Sequence, residues 1–324
     1  MKIIHVGLGN FGLWWCNVIH ERMTKCKDIT LVAIVDQNIV THDKVKLLDV
    51  PCYTDLAEAI RFHAPDFILN ATPPQAHMVV NRIAFSFDVP VLMEKPISED
   101  YQEVLECLRF AREGQKLAVA ENYRYILQNI FVKEQLQKHL KNINAINLTF
   151  RRRHQMAEEN YHIHMAQPLA VDITTHHIDL LRFFTDTEVK TVIAHAYTPN
   201  WSWYKGVSNM KAIGTMAQNI HFAYDASMDA YAETSWFGEW TFTAENGVAR
   251  YANETLIINT AAEEVVLTIP TDNEINDKHR LLDDFMTYVK TDVSPPTHIN
   301  DQAKNAAVVE AMIQSALLNK TVTL

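Results

Sequence analysis

Ile3-Ile4-His5-Val6-Gly7-Leu8-Gly9-Asn10-Phe11-Gly12 sets a short apolar run directly against a GxGxxG spacing. The run reads as a strand and the residues that follow, Phe11–Arg22, as a helix. Each glycine then has a separate task. The first permits a tight turn, the second lets backbone approach a pyrophosphate, and the third lets the helix close on the strand. The free N–H groups and positive dipole end of the helix would hold the phosphates. A glycine turn alone is also an ordinary connection, so context decides. The next apolar run, LVAIVD, ends at Asp36, where an acidic side chain can meet the ribose hydroxyls of an adenosine. Three of the chain's 8 glycines stand in this one turn. Gly7, Gly9, Asn10, Phe11, Gly12 and Asp36 are therefore the expected dinucleotide cradle. A carboxylate at Asp36 repels a 2′-phosphate and Gln37 offers no positive charge, so NAD is expected in preference to NADP.

Working outward, apolar runs at Ile3–Val6, Ile29–Val35, Phe67–Asn70, Val89–Met93 and Leu117–Ala120 alternate with helical patterns at Phe11–Arg22, Leu56–Phe62, Pro74–Phe85 and Glu99–Arg112. Runs without polar alternation, each followed by an amphipathic stretch, predict a parallel sheet covered on both faces. After Glu121 the pattern changes. A helix over Ile126–Leu140, a strand over Ile143–Phe150 and an irregular segment Arg151–Pro168 lead into a helix containing Val171–Asp179. Lys190–Thr268 alternates like an antiparallel or mixed sheet. Helices at Lys278–Lys290 and Gln302–Leu318 and a TVTL strand close the chain. The expected fold class is α/β: a Rossmann doubly wound domain over 1–122, then an α+β domain over 123–324 with an open, mostly antiparallel sheet. The closing helix is expected to pack back toward the first domain.

Composition narrows the function. A chain of 324 residues with 48% hydrophobic and 21% charged residues suits two globular domains. The formal net charge of -10 argues against a nucleic-acid partner, which needs a basic face. Arg151-Arg152-Arg153 is too short a basic run to alter that. Cys16, Cys26, Cys52 and Cys107 make neither a CxxC pair nor a disulfide framework, so reduced thiols and a cytoplasmic location are expected. No leader segment is read before the first strand, and no apolar stretch is long enough to span a bilayer.

Two further stretches carry chemistry. Glu94-Lys95-Pro96 follows the strand VPVLM, and a side chain at the carboxyl end of a parallel strand faces the ligand crevice. An ammonium there can hold charge developing on a substrate oxygen, although an isolated lysine is more often a solubilising residue. In VDITTHHID, residues at about 100° per step place Asp172, His176 and Asp179 on one face. His177 falls in line with Ile173, Leu180 and Phe184. Divergent ring directions make a shared metal site awkward, and no metal is expected. His176 suits proton transfer, because imidazole is the side chain whose unperturbed charge change falls near neutral pH, with Asp172 to orient it or hold a hydroxyl. Asp179 would serve there or in an ion pair with Arg182. His177 is read as a hydrogen-bonded, partly buried histidine and is kept among substrate-side candidates. Taken alone, the helix also fits a polar surface stripe.

In order along the chain, GLGNFG, Asp36, ATPPQAH (Ala71–His77), EKP (Glu94–Pro96), ENYRY (Glu121–Tyr125), the DxxxHxxD of Asp172–Asp179 and the ending EAMIQSALLNKTVTL resemble the glucose–fructose oxidoreductase / inositol dehydrogenase / MocA (Gfo/Idh/MocA) family. The resemblance implies a nicotinamide-dependent oxidoreductase. It implies that Lys95 lies beside the reacting carbon, that Glu94 approaches the nicotinamide ribose, and that Thr72, Pro73 and His77 line the cofactor groove. The helix bearing Asp172 and His176 would face the substrate. Two departures stand out: MAQPLAVD replaces a glycine-rich run before that helix, and LKNINAIN replaces a GxIG-like turn. Both lie on the substrate side.

The expected reaction moves a hydride between nicotinamide and an alcohol or ketone carbon of a sugar, cyclitol or related polyol, with Lys95, His176 and Asp172 as the catalytic set. Tyr123, Arg124, Arg151, Arg153 and His177 are the expected substrate contacts, with Tyr161, His162 and His164 nearby. The arginines fit recognition of a carboxylate or phosphate, or equally pairing with the protein's own carboxylates. A homodimer or homotetramer through the open sheet is expected. The alternative is a non-catalytic, dinucleotide-bound sensor or partner-binding protein on the same scaffold.

Overall fold

The computed structural model describes residues 1–158, 160–271 and 276–324; Glu159, inside the expected irregular segment, lies outside them. The first stretch runs β1 (Lys2–Val6), α1 (Asn10–Lys25), β2 (Thr30–Val35), a 3-10 segment (Ile39–Leu48), β3 (Cys52–Tyr53), α2 (Leu56–His63), β4 (Phe67–Asn70), α3 (Pro74–Phe85), β5 (Val91–Met93), α4 (Tyr101–Arg112) and β6 (Leu117–Val119). These strands form an all-parallel sheet in the order β3-β2-β1-β4-β5-β6. That is the doubly wound order, and it reverses between β1 and β4, where such sheets open their ligand crevice. Ile3, Ile4, Ile34, Phe67, Ile68, Leu69, Val91 and Leu92 are buried, as a sheet covered on both faces requires.

The second stretch holds α5 (Leu127–His139), β7 (Ile143–Arg151), α6 (Tyr161–His164), a π-helical segment (Leu169–Thr174), α7 (Thr175–Thr185), β8 (Val189–Tyr197), β9 (Asn209–Met216), β10 (His221–Ser227), β11 (Glu239–Ala244), β12 (Gly247–Ala252), β13 (Thr255–Thr260) and β14 (Glu264–Thr268). After these come α8 (Asp277–Thr291), α9 (Ile299–Leu318) and β15 (Val322–Thr323). The sheet order is β14-β13-β12-β11-β7-β10-β9-β8-β15. Every pairing is antiparallel except β7 with β10. Its inner face packs Phe150, Phe222, Trp240 and Phe242 against Val132 and Leu136 of α5, Leu180 and Phe184 of α7, and Val308 and Met312 of α9. The outer face carries no helix in this cluster, and Ile193 and Ile213 stand exposed on it. Alternation along each strand separates the two faces.

Two compact units result: residues Met1–Asn122 with Lys278–Lys304, and Tyr123–Asp277 with Asn305–Leu324. The segment 278–304, which a division at residue 122 puts in the second part, thus folds with the first. Its contacts explain why. Phe285 packs edge-on against Phe67 at 5.2 Å. Arg22 donates to the His279 carbonyl and to Asp283. Lys116 donates to the carbonyls of Tyr288 and Val289, and Val119 N–H to Thr297. No helix among the described residues is long and apolar enough to cross a membrane.

Candidate active site

In the first unit the glycine turn is built by close approach. Gly7 has φ +99°, and a Cβ there would lie 2.7 Å from the Ala71 carbonyl oxygen. A Cβ on Gly12 would lie 2.0 Å from the Gly7 oxygen, so the third glycine is what lets α1 start against the turn. Gly9 differs: a Cβ there meets nothing within 4 Å. Its missing side chain leaves open space at the head of α1. Asp36 is tied to this turn. Its Oδ2 accepts from Leu8 N–H at 2.7 Å and its Oδ1 from Asn38 N–H at 2.8 Å, which leaves acceptor capacity on both oxygens.

Beneath the turn lies His5, a residue that the sequence reading passed over. It is fully buried, its Nε2 lies 2.8 Å from the Gly7 oxygen, and its Nδ1 has no partner. Burial pushes its imidazole down to about 4, so it is neutral at ordinary pH.

At the exits of β4 and β5, Thr72 donates its N–H and hydroxyl to Asn70 Oδ1 at 3.3 and 2.7 Å, and exposed Pro73 caps α3. His77 corrects an expectation. It is wholly buried, with Nε2 at 2.9 Å from the Thr72 oxygen and Nδ1 at 3.3 Å from the Ile97 oxygen. It ties the two loops together from beneath and does not line a groove. Glu94 is buried as well: Oε1 accepts from Trp15 Nε1 at 2.7 Å and Oε2 from Lys95 N–H at 3.0 Å. Lys95 is half-buried, with Nζ 5.7 Å from the centre of the Phe11 ring. The EKP lysine therefore reaches over a residue of the glycine motif itself. Asn10 and Phe11, at the start of α1, are both exposed.

In the second unit, the π-helical turn Leu169–Thr174 precedes α7, so Asp172 and His176 do not sit on one regular α-helix as the spacing suggested. Such widened turns recur at functional sites. His176 is buried and stacks on Tyr123, ring centres 4.1 Å apart and planes 8° from parallel. Tyr123 meets Phe237 edge-on at 5.1 Å. The next residue, Arg124, grips Asp179: Nε lies 2.7 Å from Oδ2 and Nη2 2.7 Å from Oδ1. Asn305 Nδ2 adds a bond to Asp179 Oδ1 at 2.6 Å. Arg182 in turn pairs with Glu188 and with Asn305 Oδ1. Arg124 is thus engaged as a structural cation rather than presented as a substrate contact. Asp172, also buried, has Oδ2 3.6 Å from His162 Nε2, while the other nitrogen of that ring, Nδ1, bonds Asn160 Oδ1.

Two more substrate expectations are overturned. His177 is in the core: Nδ1 lies 2.9 Å from the Tyr224 hydroxyl and Nε2 3.0 Å from the Trp236 oxygen, so both nitrogens serve the fold. Arg151 ends β7 one residue after inward-facing Phe150 and turns to the outer face, where it pairs with Asp225, itself bridged to Lys211 at 2.8 Å. Alternation places it opposite the face that α7 covers. Arg153, in the loop after β7, stacks its guanidinium on Tyr231 at 4.0 Å and Trp203 at 5.2 Å. His164 bonds the Glu158 carbonyl oxygen, and Tyr161 is exposed beside His162.

Comparison with known proteins agrees with this fold. Residues 1–123 match the model of the Gfo/Idh/MocA oxidoreductase family, NAD-binding Rossmann fold. An uncharacterized protein, y4oX of Sinorhizobium fredii (strain NBRC 101917 / NGR234), is 21% identical over 249 residues, which is 74% of this chain and 68% of that protein. Among solved structures, an Agrobacterium radiobacter oxidoreductase in complex with NAD+, L-tartaric acid and magnesium aligns with TM-score 0.84 at 19% identity, covering 100% of this chain and 98% of that one. A Caulobacter crescentus aldose-aldose oxidoreductase complexed with glycerol gives 0.85 at 16%, covering 100% and 99%. A putative myo-inositol dehydrogenase from Sinorhizobium meliloti 1021 gives 0.79 at 18%, covering 100% and 99%. At these identities the structural likeness establishes the fold. Residues 1–123 thus resemble the Gfo/Idh/MocA family of oxidoreductases with an NAD-binding Rossmann fold.

Proposed function

We propose that this protein is an NAD-dependent dehydrogenase acting on a secondary alcohol, or the corresponding ketone, of a sugar, cyclitol or related polyol. The observation that carries the reading is Lys95, whose ammonium reaches over Phe11 of the glycine motif from the end of a parallel strand. The residues present fit the cofactor. The open side of Gly9 and the head of α1 suit the pyrophosphate, and Asp36 retains acceptors for ribose hydroxyls. A carboxylate there favours NAD over NADP. Thr72, Pro73 and Glu94 would hold the nicotinamide end. When bound, NAD takes up or returns the hydride; the protein supplies position and electrostatics.

In this reading His176 removes the proton of the substrate hydroxyl, its ring kept in one plane by Tyr123. The Lys95 ammonium stabilises negative charge growing on the same oxygen. Asp172 holds a neighbouring hydroxyl or orients His176. In the reverse direction Lys95 polarises the carbonyl and His176 returns the proton. We further propose cytoplasmic residence, which suits the free thiols of Cys16 and Cys107, and pairing of copies through the outer sheet face around Ile193, Ile213 and Tyr197. Incubation with NAD+ and a panel of polyols, sugars and sugar acids, followed at the NADH absorbance band, tests the activity. Turnover should appear with at least one polyol and fall by about 100-fold or more in Lys95→Met. NAD+ binding with no turnover across the panel would favour the non-catalytic sensor.

A further inference from the structure

The glycine-turn helix holds the EKP loop by a contact that no motif contains. Phe11 and Trp15 are one turn apart on α1, so they share a face. Phe11 lies under the Lys95 ammonium at 5.7 Å, and Trp15, fully buried, donates its indole N–H to Glu94 Oε1 at 2.7 Å. An indole nitrogen can only donate, so this bond fixes which way the Glu94 carboxylate faces. The other carboxylate oxygen then holds the Lys95 backbone N–H at 3.0 Å. Behind Trp15 stands Lys278, at the start of α8 and only 2% exposed, with Nζ 4.8 Å from the Trp15 ring centre and 3.8 Å from that of Trp14. A cation over an indole face is attracted to it and draws electron density from the ring, which strengthens the N–H as a donor.

We infer that Trp15 is a positioning residue for the Glu94–Lys95 pair and that Lys278 holds Trp15 in that role. The chain of contacts runs from Lys278 to the Trp15 ring, from its N–H to Glu94, and from Glu94 to the Lys95 backbone. Phe11 meanwhile steadies the Lys95 ammonium. Trp15 acts through Glu94. The consequence for turnover rests on the dehydrogenase reading of Lys95; the positioning itself does not.

The test compares Trp15→Phe, which keeps a buried ring and deletes the N–H, with the native chain, both saturated with NAD+. Lysines are reductively methylated with carbon-13, and the Lys95 resonance is identified by its loss in Lys95→Arg. In Trp15→Phe this resonance should move toward that of exposed lysines. With an accepted polyol, kcat should drop about tenfold while KM and the NAD+ dissociation constant stay within about twofold. In a Glu94→Met background the same substitution should add less than about a twofold loss, because its route to Lys95 is already cut. Lys278→Met, which leaves the N–H in place, should move the Lys95 resonance in the same direction by less, and it carries the test if Trp15→Phe does not fold. An unmoved Lys95 resonance, or losses that multiply in the Glu94→Met background, would overturn the inference. A displaced resonance in a protein that oxidises no polyol would leave the positioning intact and reject the dehydrogenase reading instead.

Discussion

The glycine turn of the first unit is shaped by backbone pressed against backbone, whereas the Asp172–Asp179 stretch of the second is held by side chains packed around it. At Gly7 and Gly12 an added Cβ would strike a carbonyl oxygen, so the requirement is written in the residue type itself. Around α7 the work falls to Tyr123 on His176, Arg124 on Asp179, and Asn305 between Asp179 and Arg182. Any of these residues in another context would be an ordinary polar or aromatic surface group. The first kind of site can be read from spacing; the second becomes visible only once the fold brings its parts together.

The contrast predicts different responses to substitution. The largest should come from the second unit. Arg124→Met strands Asp179, whose side chain is 0% exposed, without its guanidinium. Urea unfolding should then show a loss of about 3–5 kcal/mol, the usual cost of breaking a buried pair from one side. A loss below about 1 kcal/mol would mean the pair behaves as a solvated one.

Next comes acid. His5 titrates at about 4 in the folded chain, below its ordinary value of 6.5. Above pH 6.5 both folded and unfolded states hold it neutral and stability is complete. As pH falls from 6.5 toward 4 the unfolded state takes up a proton that the folded state refuses. Stability should fall by about 1.4 kcal/mol per unit, about 3 kcal/mol in all. The decline between pH 6.5 and 5 should be shallower by that slope in His5→Leu. Parallel curves for the two proteins would show that His5 is protonated in the fold.

The smallest stability effects separate the glycines. Gly12→Ala should cost about 1–3 kcal/mol or more, since α1 must move from the Gly7 oxygen. Gly9→Ala should melt like the native chain, because its φ of −67° suits alanine and its Cβ meets nothing. It should still weaken NAD+ binding about tenfold by occupying the open side of the turn. Calorimetric titration with NAD+ checks this, and native affinity in Gly9→Ala would contradict the placement of the pyrophosphate.

The same contrast explains what was legible in the sequence. Apolar runs located β1, β2, β4, β5 and β6, and Asp36 fell at the strand end where the turn needs it. Two-residue β3 and the 3-10 segment Ile39–Leu48 carry too little periodicity to be seen. The Trp15–Glu94 bond spans 79 residues and joins Glu94 to a tryptophan that looks like simple core. Arg151 looked like a substrate group because a strand end was assigned without its face; the fold turned it outward to Asp225. His177 next to His176 differs from it by about 100° of helix, enough to send one ring into the core. The π-helical turn before α7 leaves no mark in the spacing of Asp172, His176 and Asp179.

The central proposal is that Lys95 and His176 act on the same substrate oxygen. A double-mutant cycle on kcat with Lys95→Met, His176→Gln and their combination, all at saturating NAD+, tests it most directly. Two groups serving one transition-state oxygen should couple, so the combined loss should fall short of the product of the single losses by tenfold or more, about 1.4 kcal/mol. Losses that multiply cleanly would mean that the two side chains act independently, and the shared-oxygen account would be wrong.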